Sequence, residues 1–86
     1  MRIVGNIPHP KFLISVFSWN ERYIVKIEAG LFEQTYKFNQ GDLEGWQELQ
    51  TLFDEAFIAD VEKVFREMAN HAKSAAQRYI TRGGFA

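Results

Sequence analysis

The sequence contains no cysteine and only two prolines among its 86 residues. The absence of cysteine excludes disulfide bonds and thiolate chemistry, so a chain of this size depends on its core and gains from burial against a second copy. No apolar run reaches the length of a membrane-spanning helix, and the first ten residues lack the pattern of a secretory leader. We therefore expect one domain, residues 1–86, in the cytoplasm.

An excess of one sign of charge is also missing. Ten Lys and Arg residues stand against eleven Asp and Glu residues, and the formal net charge is −1. This balance argues against the strong overall attraction to phosphate that basic nucleic-acid-binding proteins show, and leaves only a local basic patch for such a role. The hydrophobic fraction of 47% is typical of an ordinary globular protein.

Groups that carry catalysis or hold metals are few. The three serines lack a nucleophile-elbow motif, and the chain has neither a glycine-rich phosphate loop nor a His/Cys metal spacing. Glu67 and His71 lie one helical turn apart, but two potential ligands do not make a metal site. His9, between two prolines, is interpreted as a connector residue. We therefore favour a non-catalytic protein without cofactor or metal; an enzyme with a site shared across a dimer interface is the third candidate.

The residues that are present divide the chain into two halves. Residues 1–39 are rich in β-branched and aromatic side chains, whereas residues 42–82 contain no proline and one glycine. Strands first and helices second predict an α+β fold: an antiparallel meander of three to four strands, then one or two C-terminal helices packed on one sheet face. The predicted strands cover residues 3–7, 11–18, 23–29 and 31–38.

Two hairpin turns predict which side chains share a face. With Asn20-Glu21 and Ala29-Gly30 at the turn centres, alternation places Val25, Ile27 and Phe32 on a core face, and Lys26 opposite Glu33 on the other. The core face also carries Phe12, Ile14, Val16, Tyr23, Gln34, Tyr36 and Phe38.

Gln34 is the single polar residue of this core face. Its amide must find hydrogen-bond partners if it is buried. One interpretation is a small ligand cavity lined by Tyr23, Gln34 and Tyr36. The other is that Gln34 lies near the sheet edge or bonds to a helix.

The opposite face of the predicted sheet, called the outer face below, carries more apolar side chains than solvent contact explains. We predict that it binds a second protein or a second copy, unless the first strand, a helix or the chain terminus covers it. Arg22 is expected to stack on Trp19. The candidate partner-binding residues are Leu13, Phe17, Trp19, Arg22, Ile24 and Lys26.

Basic residues accompany the aromatic residues of the outer face. Lys11, Arg22, Lys26 and Lys37 stand among Phe17 and Trp19, a mixture typical of sheets that bind single-stranded nucleic acid. Strands followed by a helix also resemble the PUR and whirly nucleic-acid-binding architectures, although no motif of either family is present. The resemblance implies an alternative function, the binding of single-stranded nucleic acid by the outer face.

The second half of the chain predicts two helices. Asp42 is a candidate N-cap for a first helix, whose apolar side contains Leu43, Trp46, Leu49 and Phe53. A break is expected near residues 52–54, with Thr51 as the cap, unless the two helices are continuous. The long second helix, whose core stripe begins at Phe57, extends from Asp54 to Thr81 and ends before Gly83-Gly84.

The long helix exceeds the length of the strands. Its end, from about residue 72, carries an apolar stripe of Ala72, Ala75, Ala76 and Tyr79, which we predict forms a homodimer by antiparallel pairing. Residues 42–62 contain seven acidic and no basic residues, whereas residues 63–86 contain five basic and one acidic residue. This order suits the helix dipole and also an antiparallel second copy.

Overall fold

The structure is a computed structural model that describes residues 1–84. Its first half is an antiparallel sheet of four strands in the order β1-β2-β3-β4. The strands are β1 (Arg2–Ile7), β2 (Leu13–Trp19), β3 (Arg22–Ala29) and β4 (Phe32–Asn39). A short helix, α1 (Leu49–Leu52), and a long helix, α2 (Glu55–Thr81), follow. The predicted α+β meander with C-terminal helices is confirmed.

The turn between β2 and β3 agrees with its prediction. Asn20 and Glu21 both have positive φ angles, 53° and 62°, which a two-residue hairpin of matching twist requires. The register pairs Val16 with Val25 and Ile14 with Ile27, as parity predicts.

The turn between β3 and β4 lies one residue later than predicted. It contains Gly30 and Leu31, with the positive φ angle of 61° on Gly30, so Ala29 pairs with Phe32. Every predicted pair is therefore displaced by two residues, and Ile27 lies opposite Gln34 rather than Phe32. A displacement of two leaves each side chain on its predicted face.

β1 carries an irregularity, and Trp46 packs against the same part of the strand. Its register shifts between Ile3 and Gly5, which leaves Val4 as an extra residue. A Cβ atom at Gly5 would overlap the ring of Trp46, so the missing side chain is what lets the indole lie on β1.

The segment between the sheet and α2 is less helical than predicted. Residues 40–42 and 46–48 form single 3₁₀ turns, and α1 has only four residues. The prediction that Asp42 caps a helix is wrong, because it lies within the first 3₁₀ turn. Gly41 and Gly45 lower the helix propensity of this segment by about 1 kcal/mol each.

The break before α2 is confirmed, with a different cap. Phe53 leaves the helical conformation, and the Asp54 carboxylate accepts a 2.9 Å hydrogen bond from the Phe57 amide. The prediction of Thr51 as the cap is therefore wrong. α2 continues for 27 residues, and Gly83 follows it with a φ angle of 89°.

Both helices pack on the same face of the sheet. Val25 and Ile27 are fully buried there, together with Leu49 of α1 and Val61 of α2. Phe32 and Phe57, also predicted in the core, are only partly buried and pack against its margin. Among residues 1–84, no helix has the length and apolar character needed to cross a membrane.

Candidate partner-binding surface

The outer face is the side of the sheet opposite α1 and α2. Alternation along β2 and β3 places Phe17 and Trp19 on this side, with Ile24 and Arg22 as their cross-strand partners. Trp19 is 55% exposed and Leu13, at the other end of β2, is 57% exposed. Since the core cluster that contains both helices lies on the other side, the described residues provide no element that covers the outer face.

Ile24 is at the centre of this surface but is not itself accessible. It lies between Phe17 of β2 and Lys37 of β4 and retains only 5% of its exposure. Lys26 lies beside it on β3, with Nζ 5.2 Å from the centre of the Phe17 ring. Ile24 therefore packs beneath the neighbouring side chains of the outer face.

The cation–π contact differs from the predicted one. Trp19 and Arg22 are cross-strand neighbours, as expected, but the contact in the structure joins Lys26 to Phe17. A lysine over an aromatic face stabilises by about 0.5–1 kcal/mol at an exposed site. The contact occupies one side of the Phe17 ring and leaves Trp19 as the more accessible aromatic group.

Charges on the outer face are separated by sign along the strands. Arg22, Lys37 and Lys26 lie in the three successive rows of cross-strand pairs that begin at Trp19, and we call this part the basic end. Glu28 and Glu33 lie directly opposite each other at the other end. The predicted neighbours Lys26 and Glu33 are therefore wrong, because the two-residue displacement of β4 puts Thr35 opposite Lys26.

Lys11 does not belong to the outer face. Its ammonium forms a 3.2 Å ion pair with Glu62 of α2, on the helix side of the sheet. The predicted basic set therefore loses one member. Because this pair is largely exposed, its contribution to stability is about 0–1 kcal/mol.

One apolar residue that the sequence did not predict also belongs to this surface. Ile3 of β1 lies opposite Phe17 and is 56% exposed. Its side could not be deduced from alternation, because the extra residue Val4 reverses the parity along β1.

Of the three residues predicted to line a small cavity, Gln34 and Tyr36 bond to each other, whereas Tyr23 lies farther along the sheet. The Gln34 amide donates a 3.0 Å hydrogen bond to the Val61 carbonyl of α2, and its oxygen accepts a 2.6 Å bond from the Tyr36 hydroxyl. Burial, and secondarily the negative charge of Asp60, raises the pKa of Tyr36 above its ordinary value. Tyr23 lies one step along the sheet, opposite Ser18 and Phe38.

The histidines have positions consistent with structural roles. His9 Nδ1 accepts hydrogen bonds from the amides of Lys11 and Phe12, and its ring stacks on Phe12. Glu67 and His71 are exposed on α2. In the described part of the chain, no three His, Cys, Asp or Glu residues are placed to hold a metal ion.

The residues predicted for a dimer helix lie beyond the sheet. The buried residues of α2 are Ile58, Val61 and Phe65, all in its first half. From residue 69 to residue 81 every residue except Ala76 is exposed. Spacings of three and four continue from Phe65 along one side of the helix, through Met68, Ala72, Ala75 and Tyr79.

Comparison with protein-family models, with curated proteins and with solved structures finds no match to this chain.

Proposed function

We propose that the chain is a small non-catalytic interaction domain that binds a partner protein through the outer face of its sheet. The observation that carries the proposal is that Ile3, Leu13 and Trp19 are each more than half exposed on a face that α1 and α2 leave open. Apolar groups exposed together on a sheet are typical of contact surfaces. Their burial by a partner would contribute roughly 25 cal/mol per Å² of apolar area.

The charges define the kind of partner. Arg22, Lys26 and Lys37 form a basic border around the aromatic residues, so an acidic segment with apolar side chains is complementary to this end of the face. Glu28 and Glu33 at the other end disfavour an acidic partner there. The pattern therefore favours binding of such a segment at the basic end.

The second candidate is single-stranded nucleic acid, favoured by the same combination of Trp19 with basic side chains. Its phosphates would contact the basic end, and a base would stack on the indole. The Phe17 ring is less suitable as a second stacking platform because Lys26 already lies over it. The two acidic residues further along the face would also repel the backbone.

Self-association is the second part of the proposal. Two copies would pair through the exposed half of α2, with Ala72 and Ala75 at the contact. Small side chains there permit close approach of the two helices. We propose the cytoplasm as the compartment, where a chain without cysteine is unaffected by reducing conditions.

The partner-binding proposal is tested by the fluorescence of Trp19 in a Trp46→Phe background. The probes are an acidic peptide with alternating Glu and Leu, the same peptide with Gln in place of Glu, and oligothymidylate. We expect the acidic peptide to shift the Trp19 emission to the blue. Lys26→Gln with Lys37→Gln should weaken its binding about tenfold, because two charge contacts are lost.

The matched control is Lys63→Gln with Lys73→Gln, which removes the same charge from exposed positions on α2. It should leave the affinity unchanged. A stronger, salt-dependent response to oligothymidylate would establish the second candidate instead. Equal responses to the acidic and the Gln peptide would contradict the proposed charge recognition.

A further inference from the structure

β4 is an open and regular edge of the sheet. It has eight residues, no proline and no register shift against β3. β1, at the other edge, has an extra residue and is followed by Pro8. Such irregularities protect an edge from pairing with another strand, and β4 lacks them.

The free hydrogen-bonding groups of β4 belong to alternate residues. Ala29 and Phe32 close the two-residue turn, and Gln40 donates its amide hydrogen to the Glu21 carbonyl at the far end of the same ladder. The intervening residues of even number therefore bond to β3. The amides and carbonyls of the odd-numbered residues Glu33, Thr35 and Lys37 point away from the sheet, and all three side chains are exposed.

The same three residues form a self-complementary sequence. When two β4 strands run antiparallel about a two-fold axis at Thr35, Glu33 of each copy lies opposite Lys37 of the other, and the two Thr35 residues face each other. All these pairs use the outward hydrogen-bonding groups. Opposite charges and paired threonines are favourable cross-strand neighbours.

Other registers with the same hydrogen-bond parity lose this match. A centre at Gln34 or Tyr36 places Thr35 opposite a charged residue and leaves Glu33 and Lys37 unmatched. A centre at Glu33 or Lys37 sets like charges against each other. The charge pattern therefore selects a single register.

The fold of one chain also leaves Glu33 in an unfavourable position. Its cross-strand neighbour on β3 is Glu28, a like charge, and its carboxylate accepts a 3.3 Å hydrogen bond from the Thr35 hydroxyl. Like charges directly opposite each other destabilise a sheet. Lys37 of a second copy would lie on the free side of Glu33 and balance this pair.

We propose that β4 pairs with β4 of a second copy, antiparallel and centred on Thr35, to form a continuous sheet of eight strands. The pairing joins the outer faces of the two copies into one surface. It uses an edge separate from the exposed half of α2, so it does not depend on the helix contact or on partner binding.

The experiment exchanges the two charges. The chain Glu33→Lys has two lysines on its edge, and the chain Lys37→Glu has two glutamates. Neither should pair with itself at low salt. The double variant Glu33→Lys with Lys37→Glu restores the match and should pair like the wild type, as should an equal mixture of the two single variants.

The measurement is amide hydrogen exchange at Thr35, whose amide points out of the free edge. With about nine chains in ten paired, exchange should slow about tenfold relative to dilute protein. In the mixture, only the Lys37→Glu chain is labelled with nitrogen-15, so its protection reports contact with the other chain. The substituted side chains are exposed, and retained folding is checked from the unchanged exchange of Val25.

Two results would overturn the proposal. One is Thr35 exchange that does not depend on protein concentration in the wild type. The other is the same concentration dependence in both single variants as in the wild type. If a dimer forms equally in all four chains while Thr35 stays unprotected, the contact lies elsewhere, and substitutions on α2 identify it.

Discussion

Gln34 shows how a single side chain connects the sheet to α2. Its amide nitrogen donates a hydrogen bond to the Val61 carbonyl of the helix, and its amide oxygen accepts one from the Tyr36 hydroxyl. Both ends of the buried amide therefore have a hydrogen-bond partner. A buried polar group left without partners costs about 1–3 kcal/mol. The sequence marked Gln34 as exceptional and offered a helix bond as one interpretation. Only the tertiary structure identified the partner as the Val61 carbonyl, since the sequence does not show which part of α2 passes over Gln34.

At alkaline pH, Tyr36 should contribute to the loss of stability. Its pKa in the folded chain is raised above the ordinary value of 10.0 by burial and by Asp60. The folded state therefore holds this proton more tightly than the unfolded state. The resulting stabilisation is complete below pH 10 and is lost as the pH rises through the folded-state pKa.

The variant Tyr36→Phe separates this effect from the other tyrosines. At pH 7 it should lower the free energy of unfolding by about 1 kcal/mol, because Gln34 loses a donor. Urea denaturation above pH 10 should then show a shallower decline for the variant than for the wild type. Parallel declines would mean that Tyr36 ionises as freely in the folded chain as in the unfolded one.

At the scale of secondary structure, the start of α2 is the best-defined boundary in the second half of the chain. Asp54 caps the helix, and Phe53 packs edge-to-face on Tyr36 and Phe57 just before it. The sequence placed a break here but assigned the cap to Thr51. Both residues are good caps by type, and the packing of Phe53 in the core decides between them.

Asp54→Ala should therefore lower the free energy of unfolding by about 1 kcal/mol, through loss of the bond to the Phe57 amide. Asp42→Ala is the matched control, because it removes the same carboxylate from a position that caps no helix. Its effect in the same urea experiment should be within about 0.5 kcal/mol of zero. Equal losses for the two variants would contradict the cap assignment.

The register between β3 and β4 is a second feature of the secondary structure that turn chemistry alone does not determine. Turns centred on Ala29-Gly30 and on Gly30-Leu31 both use the conformational freedom of Gly30. They differ by two residues in pairing, so alternation cannot distinguish them. The observed choice places Gln34 opposite Ile27, beneath α2, and moves Phe32 to the margin of the core.

For the whole molecule, the elongated shape follows from α2. The longest dimension is 53 Å and the radius of gyration is 16.2 Å, whereas a compact chain of this length would have a radius of about 12 Å. A helix of 27 residues is about 40 Å long and exceeds the strands that support it. The exposed half of α2, residues 69–81, is short. Isolated helices below about 12–15 residues are only marginally stable in water.

We expect the exposed half of α2 to support a dimer through the side of the helix that carries Ala72 and Ala75. Ala72→Glu with Ala75→Glu should lower the mass measured by sedimentation equilibrium, so that any remaining association is the one through β4. Asn70→Glu with Gln77→Glu adds the same charge to the opposite side of the helix and should preserve the mass. Wild-type protein that sediments as a 10.0 kDa monomer at tens of micromolar would contradict this contact.

The sequence by itself determined the features that local chemistry controls. These are the order of strands and helices, the turn at Asn20-Glu21, the face on which each residue of β2, β3 and β4 lies, and a helix longer than its sheet. Each follows from backbone preferences or side-chain alternation, which act over a few residues.

The tertiary structure selected among arrangements that local backbone preferences and side-chain alternation do not distinguish. It fixed the register of β4, the extra residue Val4, the position of Trp46 on Gly5 and the burial of Ile24. The charges available along the β4 edge depend on that register as well. In each case several arrangements satisfy the same turn chemistry or the same alternation, and the packing of distant segments against one another selects one of them.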